Sequence, residues 1–145
     1  NSGFEPRTFS DDVFERWRVI NRGAWRFAYD DQGDGPHVER VMKMLRGVSQ
    51  KKKRVYVLIG NEPFEQCLDR IYRVIGWGGD PHVQPFIKLN ALEKVPHVRH
   101  DWTLQTLKDV ARWCNGWVWK KVNFEGYSRA MRSVPVDEDQ LAWDF

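Results

Sequence analysis

Residues 54–89 read RVYVLIGNEPFEQCLDRIYRVIGWGGDPHVQPFIKL. Val55-Tyr-Val-Leu-Ile59 is nearly all apolar. A run without alternation predicts a strand buried on both faces, as in parallel sheets covered by helices. Gly60 and Asn61 form the turn, with Asn61 as the expected N-cap of a helix and Pro63 just inside it. Phe64, Cys67, Leu68, Ile71 and Ile75 recur at helical spacing, and Gly76 is a suitable stop. Gly78-Gly-Asp-Pro81 reads as a loop, and Val83-Gln-Pro-Phe-Ile-Lys-Leu89 as the next strand. Pro85 removes one ladder donor, which places that strand at an edge, a bulge or a ligand-facing position.

The same rhythm extends in both directions. Upstream, Ser10 is a good N-cap, and Asp11 and Asp12 place negative charge in a first turn. Val13, Phe14, Trp17 and Ile20 then mark a helix. Ala24-Trp-Arg-Phe-Ala-Tyr29 is short and aromatic, a strand, and Asp30-Asp-Gln-Gly-Asp-Gly35 is turn chemistry. Pro36 opens a helix with the stripe Val38, Val41, Met42, Leu45 and Val48. Gln50-Lys-Lys-Lys-Arg54 is a charged connector. Downstream, Asn90 to His100 is a loop, and Asp101 or Thr103 caps a helix with the stripe Leu104, Leu107, Val110, Ala111 and Cys114. Trp117-Val-Trp-Lys-Lys-Val122 reads as a final strand. Strict alternation of helix and strand predicts an α/β fold with three to four parallel βα units. That is too few to close an eight-stranded barrel of about 250 residues. The expected product is a partial (half) TIM-type barrel or an open sheet over residues 1–127, followed by a polar tail, 128–145.

The chain of 145 residues carries a formal charge of +3, is 41% hydrophobic and 30% charged, and has no apolar run near the ~20 residues of a membrane span; with a polar, acidic start, no signal peptide is expected. The expected location is cytoplasmic, without membrane association. Cys67 and Cys114 sit in helical patterns without a metal-type spacing, so both read as reduced core thiols. Eight tryptophans are unusual: some must line the core, and so many large aromatics also point to an apolar face that needs a partner. His97-Val-Arg-His100 has a metal-like spacing but no third ligand, and no metal site is expected. No Gly-x-Gly-x-x-Gly, Walker or Gly-x-Ser-x-Gly motif is present.

In parallel α/β folds ligands sit at the carboxyl ends of the strands. Those ends hold Asp30 and Asp31, then Gly60, Asn61 and Glu62, then Lys88 and Asn90. Carboxylates accept from ribose hydroxyls, glycine allows close backbone approach, and a helix start presents free N–H groups.

The stretch VYVLIGNEPFEQCLDRIYRVIGWGGDPHVQPFIKL resembles the second half of a radical S-adenosylmethionine (SAM) enzyme core. GFEPRTFSDDVFERW and AWRFAYDD resemble the helix before the fourth barrel strand and that strand itself, and ARWCNGWVWKKVNFEGY resembles the closing segment of some members. The likeness covers roughly residues 3 to 127. It implies SAM as a candidate cofactor, with Asp30 near the ribose or methionine part, Ile59 and Gly60 near the adenine, and Pro85 to Lys88 on the sixth strand; Asp31 and Asn61 are the neighbouring candidate cofactor residues. The family's Cys-x-x-x-Cys-x-x-Cys motif is absent from this sequence, so no iron–sulfur cluster is expected from this chain and no complete radical SAM enzyme on its own. Catalytic residues stay unassigned. The expectation is a non-catalytic partial barrel that keeps part of a SAM-binding wall and needs self-association, as a homodimer, or a partner supplying the N-terminal half barrel. Two other classes compete. One is a nucleic-acid-binding module using Lys51, Lys52, Lys53 and Arg54 with Trp117 and Trp119. The other is a small-molecule enzyme with Asp30, Glu62 and Lys88 as acid and base.

Overall fold

The structure, a computed structural model, describes residues 3–21, 23–86 and 98–132. The main elements are α1 (Asp11–Trp17), β1 (Trp25–Ala28), α2 (Gly35–Met44), β2 (Lys53–Ile59), α3 (Phe64–Gly76), β3 (Asp80–Pro85), α4 (Leu104–Asn115) and α5 (Phe124–Arg132). The strands form an open sheet in the order β1-β2-β3. All three run parallel, and β1 pairs β2 with Trp25 opposite Lys53 and Ala28 opposite Tyr56. A parallel neighbour needs a crossover, which α2 and α3 supply. Right-handed crossovers that advance in one direction along a sheet put both helices on the same face. Among the described residues no helix is long and apolar enough to cross a membrane.

The chain divides into two compact units. The first comprises Asn1–Leu58 and Glu65–His82. Ser10 caps α1 as expected, accepting from the Val13 N–H at 3.3 Å. The helix stops at Trp17, so Val19 and Ile20 lie outside it, 77% and 65% exposed. Phe4, Phe9, Phe14, Trp17, Trp25 and Phe27 form a continuous aromatic cluster, with Phe9, Trp25 and Phe27 buried. Each such large side chain contributes on the order of 1.5–3 kcal/mol when fully buried. Phe4 forms a parallel bridge to Phe27, and its N–H donates to the Arg26 carbonyl at 2.7 Å. The free side of β1 is thereby partly paired. The approach is close enough that a Cβ on Gly3 would fall 2.6 Å from the Arg26 oxygen. Arg40 pins this segment by donating to the Pro6 and Phe9 carbonyls at 2.9 and 2.7 Å.

On β1 and β2 burial alternates. Trp25 and Phe27, and Lys53, Val55, Val57 and Ile59, are buried, while Arg26, Arg54, Tyr56 and Leu58 are half-exposed and Ala28 is exposed. The expectation that the second strand is buried on both faces is therefore corrected. Within the first unit, Trp25, Phe27, Val55 and Val57 join a core with Val38, Val41, Met42 and Leu45 of the α2 segment and Cys67, Ile71 and Val74 of α3, these seven at most 1% exposed. Tyr29, just past β1, is fully buried, stacks on Trp77 with centroids 5.9 Å apart, and lies under the Arg70 guanidinium at 6.0 Å.

The second unit comprises Ile59–Phe64 and Val83–Phe145. Thr103, the second of the two expected caps, starts α4 through a reciprocal capping box with Thr106. Asp101 instead accepts from the Phe64 N–H at 3.0 Å and caps α3 from far along the chain. Asn61 is not that cap. The expected strand at 117–122 is also corrected: Trp117 has φ 58°, and Val118–Lys120 forms a short 3-10 turn. A left-handed residue breaks an extended run at its start. The expected loop at 78–81 and strand at 83–89 shift, since β3 begins at Asp80 and ends at Pro85. Helix α5 takes in residues 128–132 of the expected tail. Phe124 packs between Phe64 and Trp113, and the Trp113 indole donates to the Val122 carbonyl at 2.8 Å. Asn115 reaches Val83 of β3 with both ends of its carboxamide. Its Oδ1 accepts from the Val83 N–H at 2.8 Å and its Nδ2 donates to the Val83 carbonyl at 3.1 Å. The side chain thus stands where a fourth strand would pair. Both cysteines are buried thiols outside any disulfide, as expected.

Candidate functional site

The strand-end residues fall into the two units and serve different ends. In the first unit Asp30 is exposed. Asp31 caps a short 3-10 turn, accepting from the Gly33 N–H at 2.7 Å. In the second unit Ile59 is fully buried, and its carbonyl accepts from the Phe86 N–H at 2.9 Å. Gly60 adopts φ 97°, which a side chain would disfavour, and its carbonyl accepts from Arg99 N–H at 2.9 Å. Asn61 is half-buried and Pro85 closes β3. The Glu62 carbonyl accepts from the Trp102 indole at 2.6 Å. Lys88, Asn90 and His97 lie outside the described residues. Among the described residues no group of three His, Cys, Asp or Glu side chains is placed to hold a metal ion.

A second constellation, missed at the level of sequence, lies on the sheet face opposite the covered one. In the first unit that face carries Arg26 of β1, Arg54, Tyr56 and Leu58 of β2, and Asp80 and His82 of β3. Alternation puts these residues on one side of their strands. Register sets Arg26 directly opposite Arg54, so their backbones are about 4.8 Å apart. The cross-strand partners agree with this placement: Arg54 Nε lies 4.0 Å from Asp80 Oδ2, and the Tyr56 and His82 rings meet edge-on at 5.4 Å.

The electrostatics of this face are unbalanced. Asp80 is 3% exposed and Arg54 30%, and their 4.0 Å separation is beyond a hydrogen bond. The Nε atoms of both Arg26 and Arg54 are buried and have no hydrogen-bond partner. Among the described residues no carboxylate forms a salt bridge with Arg26. Burial lowers the His82 pKa from its usual 6.5, the Arg54 charge lowers it further, and Asp80 opposes the shift. The imidazole is therefore neutral near pH 7. Two guanidiniums, a phenol and a neutral imidazole on one half-exposed surface make a set rich in donors. The alternation of polar and apolar residues in Arg54-Val-Tyr-Val and Trp25-Arg-Phe-Ala was the available signal. The apolar weight of the first run concealed it.

The basic connector is divided by the same alternation. Lys51 and Lys52 are exposed, whereas Lys53 is 4% exposed and its pKa is lowered by burial. In the second unit Lys120 Nζ lies over the rings of Trp117 and Trp119, 5.1 and 5.6 Å from their centroids, and so occupies faces that a base would need.

No family model, curated protein or solved structure matches the chain.

Proposed function

We propose that the chain is an arc of a radical SAM core barrel that lacks the cluster-binding cysteines, is non-catalytic alone and retains part of a SAM-binding wall. One observation carries this reading: consecutive parallel strands run in the unbroken order β1-β2-β3 and leave a polar, half-exposed face. A doubly wound sheet also runs unbroken through three strands on one side of its switch point, but it covers both faces with helices. A barrel keeps the order and turns one face inward. In this reading the sheet is part of a TIM-type barrel, and Asp30, Asp31, Ile59, Gly60, Asn61, Pro85 and Lys88 make up its SAM wall.

The same reading gives the reason for a partner. The outer sides of β1 and β3 already have local partners in Phe4 and Asn115. What calls for cover is the polar face, through further sequence, a second copy or another chain. The test is a thermal-denaturation series with SAM in iron-free buffer, paired with sedimentation velocity. SAM should raise the melting temperature, and the chain should sediment as a dimer. No shift at saturating SAM, together with a clean monomer at high concentration, would refute the proposal.

A further inference from the structure

We infer that Arg26, Arg54, Tyr56 and His82 form a binding site for the phosphate group of a small phosphorylated ligand. The inference goes beyond the kinship proposed above and does not rest on it, because all four residues belong to the first unit and the argument uses only their placement.

Three observations converge. The first is charge. Arg26 and Arg54 stand opposite each other on adjacent strands, and Asp80 is the one carboxylate in salt-bridge range of either among the described residues. Two like charges at neighbouring positions repel unless an anion lies between them. The second is unmet hydrogen bonding. A buried guanidinium Nε without an acceptor costs free energy, and both arginines present one. The third is geometry. The Tyr56 hydroxyl and the His82 imidazole extend the donor set on the same side of the sheet, with their rings in contact.

The number of donors decides the class of anion. A carboxylate offers about four acceptor positions, two of which one bidentate guanidinium fills. Two guanidiniums with a phenol and an imidazole exceed what two oxygens accept, and match a tetrahedral group with three free oxygens. Asp80, on the same face, lies 4.0 Å from the Arg54 Nε, beyond hydrogen-bond distance, and offsets part of the charge of one guanidinium while Arg26 keeps its own.

The experiment is isothermal titration calorimetry on the full chain with inorganic phosphate, a sugar monophosphate and AMP, and separately with acetate, SAM and a single-stranded oligonucleotide. Saturable binding of a phosphate monoester on the order of millimolar or tighter is expected. Arg26→Gln should weaken it about tenfold, as expected for loss of a charge-assisted hydrogen bond. Tyr56→Phe should weaken it by a few-fold. Arg54→Gln removes a charge beside the buried Asp80, so far-ultraviolet circular dichroism must first confirm its fold. Should it unfold, Arg26→Gln and Tyr56→Phe decide the matter. Absence of saturable monoester binding would overturn the inference, as would monoester binding indifferent to Arg26→Gln. Binding of the oligonucleotide alone would also overturn it, in favour of a nucleic-acid surface. A SAM response that persists in Arg26→Gln while phosphate binding is lost would support both proposals as separate sites. Loss of the SAM response alone would leave this one standing.

Discussion

Gly35→Ala and Tyr29→Phe, made singly and together, probe how the carboxyl end of β1 is fixed against α2. Gly35 is buried with helical backbone, φ −50° and ψ −54°, so alanine suits its conformation. On entropy alone the substitution would stabilise by about 0.5–1 kcal/mol. The added Cβ, however, would fall 2.8 Å from the Tyr29 hydroxyl oxygen and 3.5 Å from the ring carbon that bears it. The ring is confined by Trp77, stacked at 5.9 Å, and by Arg70 above it. Overpacking of this kind costs about 1–3 kcal/mol. The net expectation for Gly35→Ala is a loss of about 1–2 kcal/mol. Tyr29→Phe removes a fully buried hydroxyl that has no hydrogen-bond partner, so it should be neutral or stabilising by about 1 kcal/mol. With the hydroxyl gone, the nearest remaining ring atom is at an ordinary contact distance, and Gly35→Ala should cost nothing. The coupling energy is thus about 1–3 kcal/mol. Equilibrium urea unfolding of the four proteins measures it. A cost for Gly35→Ala equal in both backgrounds, within about 0.5 kcal/mol, would refute the reasoning.

Asp101→Ala should lower stability by about 1 kcal/mol through the lost cap on Phe64, read from denaturant midpoints, and Asp101→Asn should retain most of that contribution. Asn115→Ala leaves the Val83 N–H and carbonyl without their side-chain partners and should cost about 1–3 kcal/mol, with faster amide exchange at Val83. The His82 pKa is depressed in the folded chain, so the unfolded chain binds its proton first as pH falls. Stability should therefore hold above the ordinary value of 6.5 and decline below it, and His82→Gln should remove that part of the decline in a series of melting temperatures against pH.

Much of the order of elements was written locally. Ser10 with two aspartates, the stripe Val38, Val41, Met42 and Leu45, and the run from Phe64 to Gly76 each specify a helix from neighbours within four residues. Alternation of such helices with β1 and β2 was enough for a parallel α/β sheet. The failures have a common cause in distance along the chain. Asn61 was the cap expected from proximity, but Asp101, 37 residues beyond Phe64, reached the Phe64 N–H. The aromatic run from Trp117 has strand composition, but the left-handed backbone at Trp117 turns it into a tight 3-10 segment. Nothing in single-residue preference anticipates that φ.

The candidate site divides along the same line. Residue type fixed that arginines, a tyrosine and a histidine occur in strand segments, and period-two alternation fixed which of them share a side of their own strand. Register decided that Arg26 meets Arg54 and that Tyr56 touches His82. Register is a property of two strands joined by hydrogen bonds, and a one-residue slip would send every side chain to the other face. Only the tertiary structure could place two guanidiniums side by side with one carboxylate in salt-bridge range among the described residues, because their adjacency is made by pairing segments that are far apart in the chain.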